Sequence, residues 1–262
     1  FFQAEDGIRA CLLSRGLGDV YKRQIEDGLV FASDSRTNAG LDNVSTYSKM
    51  FTFNVGDRAF VILTSGNLAT SQAVYHRIEK DLSSSDSIKS LNTCDDLDEV
   101  AAYVGELNIE YQSISNENPA QNSVSLGSHF IVGGQIKGQE PNLMLVYPEG
   151  NHIYMSDNQP YMQIGETKYG KPILDRMIHP DTSVGDAARV ALLSLDSTMR
   201  SDLTVGPPID LVVFKKDQIN LDFQDQLKLD SPFFKELSDI WAEQIEKGVK
   251  MLPRFNWENF GE

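Results

Sequence analysis

Apolar and polar positions alternate along this chain in blocks of two different periods. From Leu29, LVFAS is a short apolar run, and the SDSRTNAG that follows is dense in turn formers, so a strand is expected to deliver Asp34 to a loop edge. RAFVILTSG (Arg58–Gly66) predicts a second strand stopped by Gly66. The next stretch, NLATSQAVYHRIEKDL, puts Leu68, Ala69, Ala73, Val74 and Ile78 near helical spacing. DDLDEVAAYVGELNIEYQSI (Asp95–Ile114) predicts a second helix, with acids in the first turn where they suit the macrodipole and one stripe of Leu97, Val100, Ala101, Val104 and Leu107.

The period then changes. SHFIVGGQI, NLMLVYP, NHIYMSD and YMQIG are four short apolar runs separated by Gly, Pro, Asn and Asp, which predicts an antiparallel meander of four strands. Helices return with KYGKPILDRMI and with SVGDAARVALLSLDSTMRSD, where Val184, Ala188, Ala191, Leu192, Leu195 and Met199 share a face. IDLVVFKK predicts a final strand. SPFFKELSDIWAEQIEKGV predicts an amphipathic C-terminal helix with Ser231 as N-cap and Pro232 at the first helical position. Helices in two blocks, rather than alternating with strands, point to an α+β arrangement of two stacked antiparallel sheets covered by helices on both sides.

Composition narrows the function. The 262 residues carry 38 acids against 23 bases, a formal charge of -15, so there is no basic stripe for a phosphate backbone and nucleic acid is not an expected partner. No apolar run reaches the roughly 18 residues that a membrane span requires. The only cysteines are Cys11 and Cys94; if the opening segment is foreign, one remains and no internal disulfide is possible, which favours a reducing compartment, and a cytoplasmic location is expected. The four histidines are scattered without HExxH or cysteine partners, so no metal site is read. HFIVGGQIKGQ lacks the GK[ST] ending of a phosphate loop, so no nucleotide or other cofactor is read either.

DGLVFASDSRTNAG, the Lys-Met-Phe at Lys49 to Phe51, and LTSGNLATSQAV together resemble the bacterial proteasome-related peptidases called Anbu, of the N-terminal-nucleophile hydrolase superfamily. IGETKYGKPILDR and STMRSDLTVGPPIDLVVF extend the resemblance, which runs from about Ile25 to the C-terminus as a single domain with a helical extension from about residue 231. It implies a four-layer αββα sandwich and a threonine endopeptidase whose nucleophile is the first residue of the mature chain. It also implies a homo-oligomer, ring or open spiral, acting on peptide or unfolded protein without a cofactor. The chemistry has its own logic: a hydroxyl needs an adjacent base, and a chain-terminal threonine carries one in its α-amine, with a reference pKa of about 7.7–8.0.

By the same resemblance, Asp34 and Lys49 correspond to the family's catalytic acid and lysine, and Gly66 to the glycine whose N–H stabilises the oxyanion. Asp202 falls where relatives carry an aspartate near the nucleophile, though it equally suits a helix-terminating acid. Thr64, Tyr47 and the loop before Tyr47 would line the pocket for the substrate residue before the cut. Val205 and Glu166 stand where many relatives have serines. Residues 1–24 have no period, cap or consistent composition; FFQAEDGIR and GLGDVYKRQ resemble translated sequencing-adapter read-through, so this segment is expected to be non-native and is set aside from the fold. Counting back from Asp34 by the family's spacing lands near Gly18, and the first threonine of the chain is Thr37, so the chain as given is expected to be inactive. A non-catalytic assembly or scaffold subunit on the same sandwich is the alternative.

Overall fold

A computed structural model describes residues 9–14, 28–38, 44–84, 86–116, 126–156, 160–221 and 223–259. Its first sheet has the order β10-β1-β2-β11-β12: β1 (Arg9–Ser14), β2 (Gly28–Asp34), β10 (Tyr161–Ile164), β11 (Ile209–Lys215) and β12 (Phe223–Leu227). Its second has the order β5-β6-β7-β8-β9: β5 (Met50–Val55), β6 (Arg58–Gly66), β7 (Ser128–Ile136), β8 (Asn142–Val146) and β9 (His152–Tyr154). All neighbours are antiparallel. A short ribbon of β3 (Arg36–Asn38) and β4 (Val44–Thr46) follows β2. The helices are α1 (Leu68–Ser83), α2 (Leu97–Asn116), α3 (Lys171–Met177), α4 (Val184–Met199) and α5 (Pro232–Lys250).

The period-2 alternation of the strands divides the interior into three apolar layers. Val30 and Ala32 of β2 join Leu174 of α3 and Ala191, Leu192 and Leu195 of α4. Leu29 and Phe31, from the other face of β2, join Val61 and Leu63 of β6 between the two sheets. Phe60 and Ile62, from the other face of β6, join Val74 and Ile78 of α1 and Val100, Ala101 and Val104 of α2. Three such layers require four layers of secondary structure, the expected αββα sandwich. Asn67 caps α1 by accepting from Thr70 N at 3.1 Å, and Ser183 caps α4 by accepting from Asp186 N at 3.1 Å.

Three expectations are corrected. The four-strand meander is a three-strand one: β7, β8 and β9 are sequential neighbours, whereas β10 crosses to the first sheet and pairs with β1. Met162 and Ile164 of β10 fill the layer between the sheets from that side. The turn-rich stretch after Asp34 carries the β3-β4 ribbon, because Arg36–Asn38 finds a partner beyond the loop. As expected, Ser231 is the N-cap residue of α5 and Pro232 opens the helix, although the Ser231 hydroxyl makes no hydrogen bond among the described residues. Finally, part of the segment set aside enters the sheet: the backbone of Arg9–Ser14 runs between β2 and β10, pairing Arg9 with both Ser33 and Ile164. A gap between two strand edges is filled by main-chain hydrogen bonds, which any extended segment can supply. Gly18 and the rest of residues 15–27 lie outside the described residues.

Candidate active site

Asp34 ends β2 and Lys49 immediately precedes β5, so the acid and the lysine come from facing sheets. Lys49 Nζ stands 3.1 Å from Asp34 Oδ1, with the two side chains only 2% and 0% exposed. A charge so deeply buried must be compensated. Asp34 meets that requirement three times, since its Oδ2 also accepts from Gly206 N at 3.1 Å and from Arg36 N at 3.2 Å. The lysine is fixed from its backbone: Thr64 N donates to Lys49 O at 3.0 Å, continuing the β5-β6 ladder beyond the end of β5.

Beside this pair is a narrow notch of about 10 Å³, lined by Thr37, Lys49, Phe51, Thr64, Gly66 and Gln72 among others. Gly66 has a φ of +105°, a conformation that favours glycine, and a Cβ there would collide with the carbonyl oxygen of Gly127. The strand therefore stops there and exposes backbone to the notch. Thr64 Oγ1 donates to Ser71 Oγ at 2.6 Å, and Ser71 Oγ in turn reaches Asn67 O at 2.9 Å, so polar residues fill the buried first turn of α1. This is why the apolar face expected from Leu68, Ala69 and Ala73 is instead built on Thr70, Ser71, Val74 and Ile78.

The other expected residues are less central. Tyr47 is exposed, and its N–H donates to Ser35 O at 2.9 Å, two residues before Lys49. The Asp202 carboxylate accepts from Thr204 N at 2.8 Å and Thr204 Oγ1 at 2.7 Å, closing the turn that leads to Gly206. Its link to Asp34 runs through that turn. Glu166 is buried, with Oε1 accepting from Lys168 N at 2.6 Å and Oε2 3.8 Å from Lys168 Nζ.

Sequence reasoning missed the clamp behind Asp34. Arg36 Nη1 donates to Leu203 O at 2.7 Å and Val205 O at 3.4 Å, and Ser35 and Arg36 N–H groups reach Gly206 O at 3.3 and 3.2 Å. Nothing in TVGPPID signals a partner some 170 residues upstream, because backbone donors leave no side-chain signature. Thr37 was also missed as a residue lining the notch; its Oγ1 is buried with no hydrogen-bond partner among the described residues. Among the described residues no group of three or more His, Cys, Asp or Glu could hold a metal ion. No described helix is long and apolar enough to cross a membrane.

A four-layer αββα sandwich with a buried lysine-aspartate pair at the mouth between its sheets is the architecture of the proteasome-type N-terminal-nucleophile hydrolases. The chain belongs to the proteasome subunit family, whose model matches residues 24–214, and within it to the Anbu proteins. It is similar to Anbu from Hyphomicrobium sp. strain MC1, with 39% identity and a TM-score of 0.83 over 95% of this chain and 100% of that one. The Anbu ancestral beta-subunit from Yersinia bercovieri is 35% identical, with a TM-score of 0.82 over 94% and 99% of the two chains. The Anbu complex from Pseudomonas aeruginosa, solved as a helical assembly, is 37% identical, with a TM-score of 0.86 over 95% and 98%. Among curated proteins, none matches.

Proposed function

We propose that this chain is a subunit of a cytoplasmic threonine endopeptidase that cleaves peptides or unfolded protein inside a homo-oligomer, and that it stands here without its nucleophile. The observation that carries this reading is the buried Lys49–Asp34 pair beside the leading end of β1, where Arg9 pairs with Ser33, the neighbour of Asp34. A threonine beginning that strand would place its hydroxyl near Lys49. Its own α-amine would take the hydroxyl proton, Lys49 would stabilise the oxygen as it attacks a peptide carbonyl, and the amine would return the proton to the leaving nitrogen. Water then hydrolyses the ester. Gly66 would offer its N–H to the oxyanion, while Thr64 and Tyr47 would contact the substrate. Asp202 would act as a positioning residue through the turn that holds Gly206. The chemistry calls for no cofactor.

In this reading residues 1–24 are non-native, residues 25–262 form the peptidase domain with its helical extension from about 231, and Arg9–Ser14 occupies a slot meant for a strand led by threonine. Residues 1–36 contain no threonine. That same fact favours a second reading, a non-catalytic scaffold subunit. Replacing residues 1–24 by Met-Thr and a short strand separates the two. The peptidase reading expects the repaired chain alone to cleave fluorogenic peptides and to take up a threonine-directed electrophile at its first residue, by intact mass. Labelling of the chain as given, or of neither chain, would overturn it.

A further inference from the structure

The face by which α5 packs on its own subunit does not end where the subunit ends. Phe234 is buried and Leu237 packs against the layer under α4, while Ser238 Oγ is held by Arg200 Nη2 at 2.7 Å and donates to Asp196 Oδ1 at 2.8 Å. At 100° per residue, Trp241, Ile245 and Val249 prolong that same face. From Ala242 to Lys250 every residue is exposed, Ile245 by 49% and Val249 by 63%. The helix is 19 residues long, about 28 Å, so roughly its last two turns and a half carry an uncovered apolar stripe.

A second uncovered apolar surface lies at the other end of this region. A groove of about 530 Å³ runs between α4 and the β11-β12 edge, lined by Ala188, Leu192, Leu211, Val213 and Phe223. α5 borders it with Phe233 only and then leaves it open.

We infer that the stripe of α5 from Trp241 to Val249 docks in the groove between α4 and β12 of a second copy of this chain. This rests on the homo-oligomer reading above. A helical assembly, the form in which the Pseudomonas aeruginosa relative was solved, is built from head-to-tail contacts between two different patches of each subunit. The stripe and the groove are two such patches, each largely apolar and each unfilled by the described residues of its own subunit. The polar face of α5 mixes Lys235, Lys247 and Lys250 with Glu236, Asp239, Glu243 and Glu246, which lacks the cationic excess of a helix that lies on a membrane.

The test uses full-length chains and light scattering after size exclusion, with thermal melting to show that each variant keeps the parent's fold. I245E/V249E alters the stripe and F223E alters the groove, all at exposed positions. The expected result is an oligomeric parent, each variant alone at 29.2 kDa, and an equimolar mixture of the two variants forming dimers and nothing larger, since one intact stripe meets one intact groove. A monomeric parent would remove the homo-oligomer reading itself. A parent that assembles while either variant assembles equally well would overturn this interface alone. So would a mixture that stays monomeric, or a parent whose dimers depend on the stripe but not on Phe223, the signature of α5 pairing with α5.

Discussion

Gly206 donates its backbone N–H to Asp34 Oδ2 at 3.1 Å across 172 residues of sequence. The carboxylate that neutralises Lys49 is thereby oriented by the turn after α4, and the turn by Arg36, two residues beyond Asp34. Acid, lysine and turn form one closed circuit.

Gly206→Ala should break that circuit. A Cβ there would meet the Arg36 guanidinium, so the arginine must leave the Leu203 carbonyl or the turn must move from Asp34. A loss of about 1–3 kcal/mol is expected from denaturant unfolding, as for a buried charged group deprived of one donor.

In a chain repaired with an N-terminal threonine, Lys49→Ala should cut kcat by at least about 10²-fold, and Asp34→Asn should behave similarly by releasing the lysine. Peptide turnover with light scattering checks both effects, assembly being unchanged for Lys49→Ala. Wild-type turnover in Lys49→Ala would show the site to be misassigned.

Gly66→Ala combines a φ of +105° with a collision against the Gly127 carbonyl. It should cost about 2–4 kcal/mol, visible as a lowered Tm, whereas Gly56→Ala, at φ +62° in open space, should cost about 1–2 kcal/mol.

Thr37→Val replaces a buried hydroxyl that has no hydrogen-bond partner among the described residues by a methyl group of similar shape. Stability should be unchanged or raised by about 1 kcal/mol, because no bond is lost and a desolvated oxygen is removed. A fall in Tm would reveal a partner for that hydroxyl.

Asp81 supplies a pH dependence far from the site. Burial pushes its pKa up, but hydrogen bonds from Tyr103 Oη at 2.7 Å, Arg77 Nε at 2.9 Å and Ser87 Oγ at 3.0 Å outweigh it, and the net direction is down. A carboxyl lowered on folding contributes stability above its unfolded pKa of about 3.9, and that stability is lost as the pH falls through the folded value. Asp81→Asn should therefore be destabilised by about 1–3 kcal/mol at pH 7, and the gap from wild type should narrow below about pH 4 in urea titrations.

The helices were the legible part of this fold, for a physical reason. In α2 and α4 the burial of Val100, Val104, Leu192 and Leu195 needs only a local 3.6-residue period, which the sequence displays. Strand partnership is not local. YMQIG reads as a strand wherever it pairs, and nothing within it says that β10 joins β1 rather than β9. The edge strand β12, FQDQL, was not anticipated at all, since four of its five side chains are exposed and polar positions outnumber apolar ones. At the site, resemblance named Asp34, Lys49, Thr64 and Gly66, residues that the fold brings to one place. Gly206 and the Arg36 clamp escaped because they act through main-chain atoms, which every residue shares.

The slot occupied by β1 works as a socket. Its two walls, β2 and β10, grip Arg9–Leu12 by main-chain pairing on both edges, a form of recognition blind to side-chain identity. Integrity of the sheet and the side chains of the strand that completes it are thus uncoupled in this architecture. A melting curve reports that the socket is filled and says nothing of which side chains fill it.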